Sequence, residues 1–433
     1  MYLLALAPLA IAFTFRRGFN QLQLSPTLLT TAVLSACALA GYALQGVLAA
    51  GGGAGTSIIL SLTPETANKT VVLIAVAAIA TVISSASCQH LFGRRQFMSD
   101  GMARRPSTII RFWLFLTATV APLVVIIGNG VGNYWDRSFY FISSKGSLVG
   151  SLGTPLVMAS LLLAGYLFAT AAPGQRALAI FVALIGVSVL FSGSSRSFAL
   201  SPLLFAIGYA VSGRMKRWWS LVIVAAVSGS LLPLPLFFRG QPQQGLLPNF
   251  EALLQLRASE IDWQASLSNL LVTFPIVGTS AYGAQQIPFK DLWVSLNPLP
   301  GGLVGWDQLS AQLRLNTNTP MAGLGELGNY GFPTVIVFFA LLGILLSWFE
   351  RSIASSIERQ GYIFPAVLLG LITLFAVQLI EYNLRSGVRL LLYAAALEAG
   401  RRILTLPRRA DKRAPKFTST RVPATASLYA KVP

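Results

Sequence analysis

The sequence predicts an all-α polytopic integral membrane protein of about eleven transmembrane helices. Three observations carry that prediction. Of the 433 residues 54% are hydrophobic and only 11% charged, less than half the roughly 25% charge of a globular domain. Apolar runs close to the ~20 residues that cross a hydrocarbon core recur along most of the chain. The alternating ten-residue segments of a membrane barrel are absent.

In order, the apolar runs lie near 2–15, 27–50, 70–92, 109–131, 151–172, 177–192, 197–213, 219–238, 332–349, 362–382 and 386–404. The first lacks a basic leader and is followed by Arg16 and Arg17, so it reads as a spanning helix with its N-terminus outside, not as a cleaved signal. That orientation places 22 of the 32 lysines and arginines on the cytoplasmic side, as retention of basic loops requires. The same rule accounts for most of the net charge of +18, which therefore gives no sign of a nucleic-acid partner. Gly51 to Gly55 reads as a flexible linker, with no following Lys-Ser/Thr to make it a phosphate loop. Cys37 and Cys88 both fall inside apolar runs and read as small core residues.

One polar interruption breaks this rhythm, from Arg239 to Gly331. The chain thus divides into membrane helices one to eight (1–238), a large extracytoplasmic loop between spans eight and nine (239–331), membrane helices nine to eleven (332–404) and a basic tail (405–433) set against anionic lipid. Within the loop, Phe250, Leu253, Leu254, Ile261, Leu267, Leu270 and Leu271 suit one face of an amphipathic helix on the membrane surface or capping the bundle. Asn297 to Gly302 reads as a turn, and Trp306, Leu309 and Leu313 as a second short helix.

The residues able to carry chemistry stand at the edges of that loop. Arg196 follows Ser194 and Ser195 in a tight break between two spans; it either snorkels to headgroups or, with hydroxyls beside it, grips phosphate oxygens. Arg239 opens the loop. Arg385 and Arg389 are spaced i, i+4 and share a helix face; they form a diphosphate clamp, or Arg385 pairs with Glu381 to close a hairpin. Glu326, among Gly323, Gly325, Gly328 and Gly331, is either a general base raised in pKa by apolar walls or a carboxylate favoured near a helix N-terminus. Glu260 and Asp262 read as a solvated face and not a metal pair. The single histidine, His90, falls at the end of the third span on the cytoplasmic side, which excludes Ser-His-Asp catalysis outside and a histidine-rich metal site. No metal or cofactor is called for.

Ser192-Gly-Ser-Ser-Arg-Ser-Phe198, Asn297-Pro-Leu-Pro300 and Gly325-Glu-Leu-Gly-Asn-Tyr-Gly-Phe332 together resemble the bacterial O-antigen polymerases of the Wzy type. The resemblance implies a GT-C-like membrane glycosyltransferase at the outer face of the bacterial cytoplasmic membrane. Its substrates would be undecaprenyl diphosphate-linked oligosaccharides, and its partners membrane lipid and a polysaccharide chain-length regulator. By that likeness Arg196 matches the span-opening arginine, and Arg314 with Gly325 the Arg-x10-Gly loop pattern. Assigning Arg239, Arg385 and Arg389 to the diphosphate is an inference from charge alone. The related O-antigen ligases carry an important histidine in the large loop, and this loop has none. A flippase or other transporter is the rival from another class; it would set charges near the bilayer midplane and pair its halves by repeats. A membrane assembly partner without activity is the third reading.

The orientation can be tested with Cys37 and Cys88 replaced by serine. Asp262→Cys is expected to react with an impermeant maleimide added to intact cells, and Thr418→Cys only after lysis. The reverse pattern would invert the topology.

Overall fold

The computed structural model describes residues 1–17, 25–50, 62–91, 107–138, 148–212, 219–257, 260–283, 286–299, 301–315, 319–358 and 363–405. The Gly51–Gly55 linker and the tail beyond 405 lie outside the described residues. These residues form helices joined by turns, with isolated bridges at Arg137–Gln244 and Arg314–Pro320.

The first half contains α1 (Tyr2–Arg17), α2 (Pro26–Ala50), α3 (Pro64–Leu91), α4 (Thr108–Asn129), the one-turn α5 (Val131–Trp135), α6 (Leu148–Thr170) and α7 (Pro173–Ser192). A 3-10 turn (Arg196–Phe198) leads into α8 (Ser201–Val211), followed by α9 (Trp219–Ser230) and α10 (Pro233–Arg239). Proline opens α2, α3, α7 and α10, where its missing N–H costs nothing. Gly130, at φ +88°, ends α4.

The polar interruption is a chain of short helices: α11 (Leu246–Gln255), α12 (Trp263–Leu271), α13 (Thr273–Gly278), α14 (Leu292–Leu296), α15 (Gly301–Val304), α16 (Trp306–Gln312) and α17 (Gly323–Asn329). The long helices resume with α18 (Phe332–Glu358), α19 (Ile363–Glu381) and α20 (Leu384–Thr405).

Seven of the described helices or helical stretches are long and apolar enough to cross a membrane; Tyr2–Thr14, Ser201–Ala210 and Val367–Glu381 are apolar but shorter. The stretch expected as a seventh span, 197–213, is helical only over the 11 residues of α8, about 16 Å of rise against a ~30 Å hydrocarbon core. Ser-Pro at 201–202 starts that helix late. α20 is long enough, but Arg385, Arg389, Glu398, Arg401 and Arg402 lower its apolar character.

The expected single amphipathic helix of the loop is two helices. Asp262 stops the first pattern and caps α12, its Oδ1 accepting from Ala265 N at 2.7 Å. In the stretch expected as a turn, Asn297 Oδ1 accepts from Leu299 N at 3.0 Å, Pro300 lies outside the described residues and Gly301–Gly302 open α15; α16 is the second short helix. All six residues of α13 are buried. It packs with α2, α3, α17, α18, α19 and α20 in the larger of the hydrophobic clusters, and Gly41 of α2 leaves the room that Phe274 fills.

α4, α6, α7 and α8 make a second cluster, which Leu374 of α19 joins to the first side of the bundle. Its tightest point is reciprocal. A Cβ on Gly165 would meet Phe205 O at 1.9 Å, and one on Gly208 would meet Leu162 O at 1.9 Å. Small residues let apolar helices approach backbone to backbone, where packing replaces a hydrophobic drive that lipid cannot supply.

The buried charged groups gather at the two ends. At one end the Glu350 carboxylate accepts from the Ser25 hydroxyl and the Gln89 amide and from Thr27 N at 3.3 Å. Close by, Glu398 takes Arg401 Nε at 2.8 Å and Arg402 Nε at 2.6 Å. His90 is exposed in the last turn of α3 at that end.

Gly165→Ala or Gly208→Ala is expected to prise α6 from α8 and to cost about 1–3 kcal/mol, read as a fall in thermal unfolding temperature. Gly174→Ala, whose Cβ would meet nothing within 4 Å, should leave it unchanged.

Candidate functional site

The opposite end of the bundle is organised around the corner between α19 and α20. Four elements meet there: the 193–198 turn, the end of α10, α17 and the corner itself. Gly323 N donates to Tyr382 O at 2.7 Å, and Leu384 N to Glu326 Oε2 at 3.2 Å. Arg196 Nη1 stands 3.9 Å from Glu381 Oε1. Arg239 Nε donates to Ser194 O at 3.0 Å, and both guanidiniums act electrostatically on Glu381.

Arg196 and Arg239 are thus brought together, with a carboxylate between them that the sequence assigned elsewhere. Glu381 pairs with Arg196 and not with Arg385, because the helix ends at Glu381 and the next starts at Leu384. With side chains 41% and 14% exposed at the limit of pairing distance, the Arg196–Glu381 contact contributes about 0–1 kcal/mol.

Arg385 is spent differently. It is buried, donates Nη1 to Val294 O at 2.6 Å and Nη2 to Leu299 O, and lies 5.0 Å over the Trp306 ring. It ties the loop helices to α20, holding α14 and the Asn297 turn in place. Arg389, on the same helix one turn on, is half-buried. Arg314 is exposed on a separate loop, which closes on itself through Leu315 N to Thr319 O at 2.9 Å and Met321 N to Leu313 O at 3.0 Å.

Ser194 and Ser195 build the turn. Ser194, the one non-glycine residue with positive φ (+45°) among those described, donates Oγ to Gln244 Oε1 at 2.7 Å. Ser195 Oγ accepts from Ser197 N at 3.2 Å and caps the 3-10 turn.

Glu326 has no exposed surface. The glycines around it admit protein and not ligand: a Cβ on Gly325 would meet Ser280 Cβ at 2.4 Å, and one on Gly323 would meet Leu384 Cα at 2.8 Å. The Ser295 hydroxyl faces the carboxyl, yet neither Ser295 Oγ nor Glu326 Oε1 completes a well-formed hydrogen bond. Burial pushes the Glu326 carboxyl from 4.5 to about 7, against the smaller opposing effects of Ser295 and the Leu384 N–H. No group of three or more metal-ligating side chains is present among the described residues.

Ser295, Arg137, Gln244 and Asn249 were not legible as members of this site, and Glu381 was read only as a partner for Arg385. Each is a lone polar residue in unremarkable sequence. The only local signal was Asn249, which sits opposite Leu247, Phe250 and Leu254 on α11 and is buried while those three are exposed.

No protein-family model, curated protein or solved structure matches the chain.

The folded chain keeps the Glu326 proton to about pH 7, whereas the unfolded chain releases it near 4.5. The associated stability is complete below pH 4.5 and is lost as pH rises toward 7. Glu326→Gln, which stays neutral, is therefore expected to match wild type near pH 4.5 and to exceed it by about 3 kcal/mol above pH 7. Thermal unfolding in detergent across pH 4.5–8 checks this, and parallel profiles would refute a buried, titrating carboxyl.

Proposed function

We propose that the protein is an integral-membrane glycosyltransferase that polymerises lipid-linked oligosaccharide repeat units. In this reading it has a GT-C-like arrangement of about eleven spans and works at the outer face of the bacterial cytoplasmic membrane. The observation that carries the reading is the meeting of Arg196, Arg239 and the partly open Glu381, one helix corner from the buried Glu326. A donor glycan on undecaprenyl diphosphate and an acceptor on a second carrier are the substrates that the family likeness suggests.

The residues divide the chemistry simply. The acceptor hydroxyl oxygen attacks the anomeric carbon of the donor, and the bond from that carbon to the diphosphate oxygen breaks. The leaving diphosphate takes the electron pair, and Arg196 and Arg239 meet its growing charge with fixed cations. The hydroxyl proton passes to Glu326, whose pKa near 7 suits a base at neutral pH. The full burial of Glu326 means that the acceptor reaches it only when the Tyr382–Leu384 corner moves away from α17. Arg385 supports the site by anchoring the loop, and Arg389 is the further cation on its helix.

The test is polymerisation by protein purified into nanodiscs and supplied with undecaprenyl diphosphate-linked repeat units, products being resolved as a glycan ladder. Wild type is expected to give a ladder, and Arg196→Ala and Glu326→Gln to lose at least about a hundredfold in rate, in line with removal of a charge-stabilising or proton-accepting group. Movement of lipid-linked sugar across a vesicle without any ladder would make the protein a flippase instead.

A further inference from the structure

A second polar network lies directly behind the two arginines and is almost completely shielded from solvent. Arg137, Ser194, Gln244 and Asn249 are 4%, 1%, 2% and 0% exposed. They come from three separate stretches: the residues after α5, the turn after α7, and the α10–α11 connection with the first turn of α11.

The Gln244 side chain has three bonds. Nε2 donates to Phe238 O at 2.6 Å and Gln241 O at 3.0 Å, and Oε1 accepts from Ser194 Oγ at 2.7 Å. Asn249 Nδ2 donates to Phe191 O at 2.7 Å and Ser194 Oγ at 3.2 Å. Backbone bonds of 2.8 Å run both ways between Arg137 and Gln244. Arg137 also reaches Ser192 O at 2.7 Å. Gly245, at φ +124°, lets this connection lie against Trp135 O, where any Cβ would come within 2.6 Å.

The consequence falls on one residue. Ser194 is held at positive φ, a conformation that costs a non-glycine residue energy and persists only where neighbours impose it. Gln244 and Asn249 impose it through the hydroxyl. The Ser194 carbonyl accepts Arg239 Nε, which fixes the plane of that guanidinium, and Arg196 follows two residues on.

The arrangement is also poor as pure stabilisation. Asn249 Oδ1 is buried without a hydrogen bond, a cost of about 1–3 kcal/mol that an apolar residue would avoid. Gln244 Nε2 binds the carbonyl of Phe238, the residue before Arg239, so one amide holds both the arginine's own chain and its acceptor.

We infer that Gln244 and Asn249 are positioning residues that set Arg196 and Arg239 as a pair for a diphosphate, acting through the strained Ser194 turn. This rests on the anion-binding role given to those arginines above. Neither amide touches the ligand; each acts on it through Ser194.

The test is a double-mutant cycle on inorganic pyrophosphate binding to the full chain in nanodiscs, measured by calorimetry, with unfolding temperature recorded for every variant. Arg239→Ala and Gln244→Ala are each expected to weaken binding by about tenfold, and the double variant to fall clearly short of the roughly hundredfold loss of independent residues, since Gln244 acts in part through Arg239 and coupled residues are not additive. Losses that multiply, or full affinity in Gln244→Ala, would overturn the positioning role. Should Gln244→Ala not yield folded protein, Ser194→Ala removes only the hydroxyl and enters the same cycle with the same expectations. Pyrophosphate binding that neither Arg196→Ala nor Arg239→Ala weakens would instead remove the anion role of the arginines, and the positioning role with it.

Discussion

A charge held between apolar helices must be met by another polar group, because neither lipid nor packed side chains repay its lost hydration. The arrangement of this chain follows from that constraint. Its buried carboxylates and guanidiniums are gathered at the two ends of the bundle, with Glu350 and Glu398 at one and Glu326, Arg137 and Arg385, beside the partly exposed Glu381, at the other. Between the ends, hydroxyls such as Thr31, Thr70 and Thr81 fold back onto carbonyls of their own helices, so no partner is needed from elsewhere.

The two ends meet the constraint differently. Glu350 is surrounded by donors from Ser25, Thr27 and Gln89, and Glu398 by two arginines and Ser352. Those sets are closed and hold α2, α3, α18 and α20 in register. At the other end Glu326 Oε1, Ser295 Oγ and Arg385 Nε have no hydrogen-bond partner, and Arg196 and Glu381 barely touch. Incomplete satisfaction costs stability, and sites kept at such a cost are where binding and catalysis concentrate. The incompletely met groups around the α19–α20 corner are the observations from which the proposed site is argued.

The loop connecting the two blocks of long helices takes part in both roles. α13 is buried in the larger core, α17 supplies Glu326, and α14 presents the Val294 carbonyl to Arg385. What composition marks as polar is therefore in part a layer of short helices seated in the end of the bundle. Its glycines, Gly323 and Gly325, are needed for close packing against Leu384 and Ser280.

Composition and apolar periodicity by themselves determined the class of the protein, the positions of most of its long helices and the interruption near 239–331. Those features depend on local hydrophobicity, which every window of the sequence displays. The sequence also singled out Arg196, Arg239, Glu326 and Arg385, because an ionised residue beside an apolar run is conspicuous wherever it falls. Only the tertiary structure decided what each one meets. It turned Glu381 from Arg385 toward Arg196, spent Arg385 on the carbonyls of Val294 and Leu299, and set Gln244 and Asn249 behind Ser194. These pairings join residues some 50 to 185 positions apart in the chain, and a hydrogen-bond partner is chosen by distance in space, which no local pattern encodes.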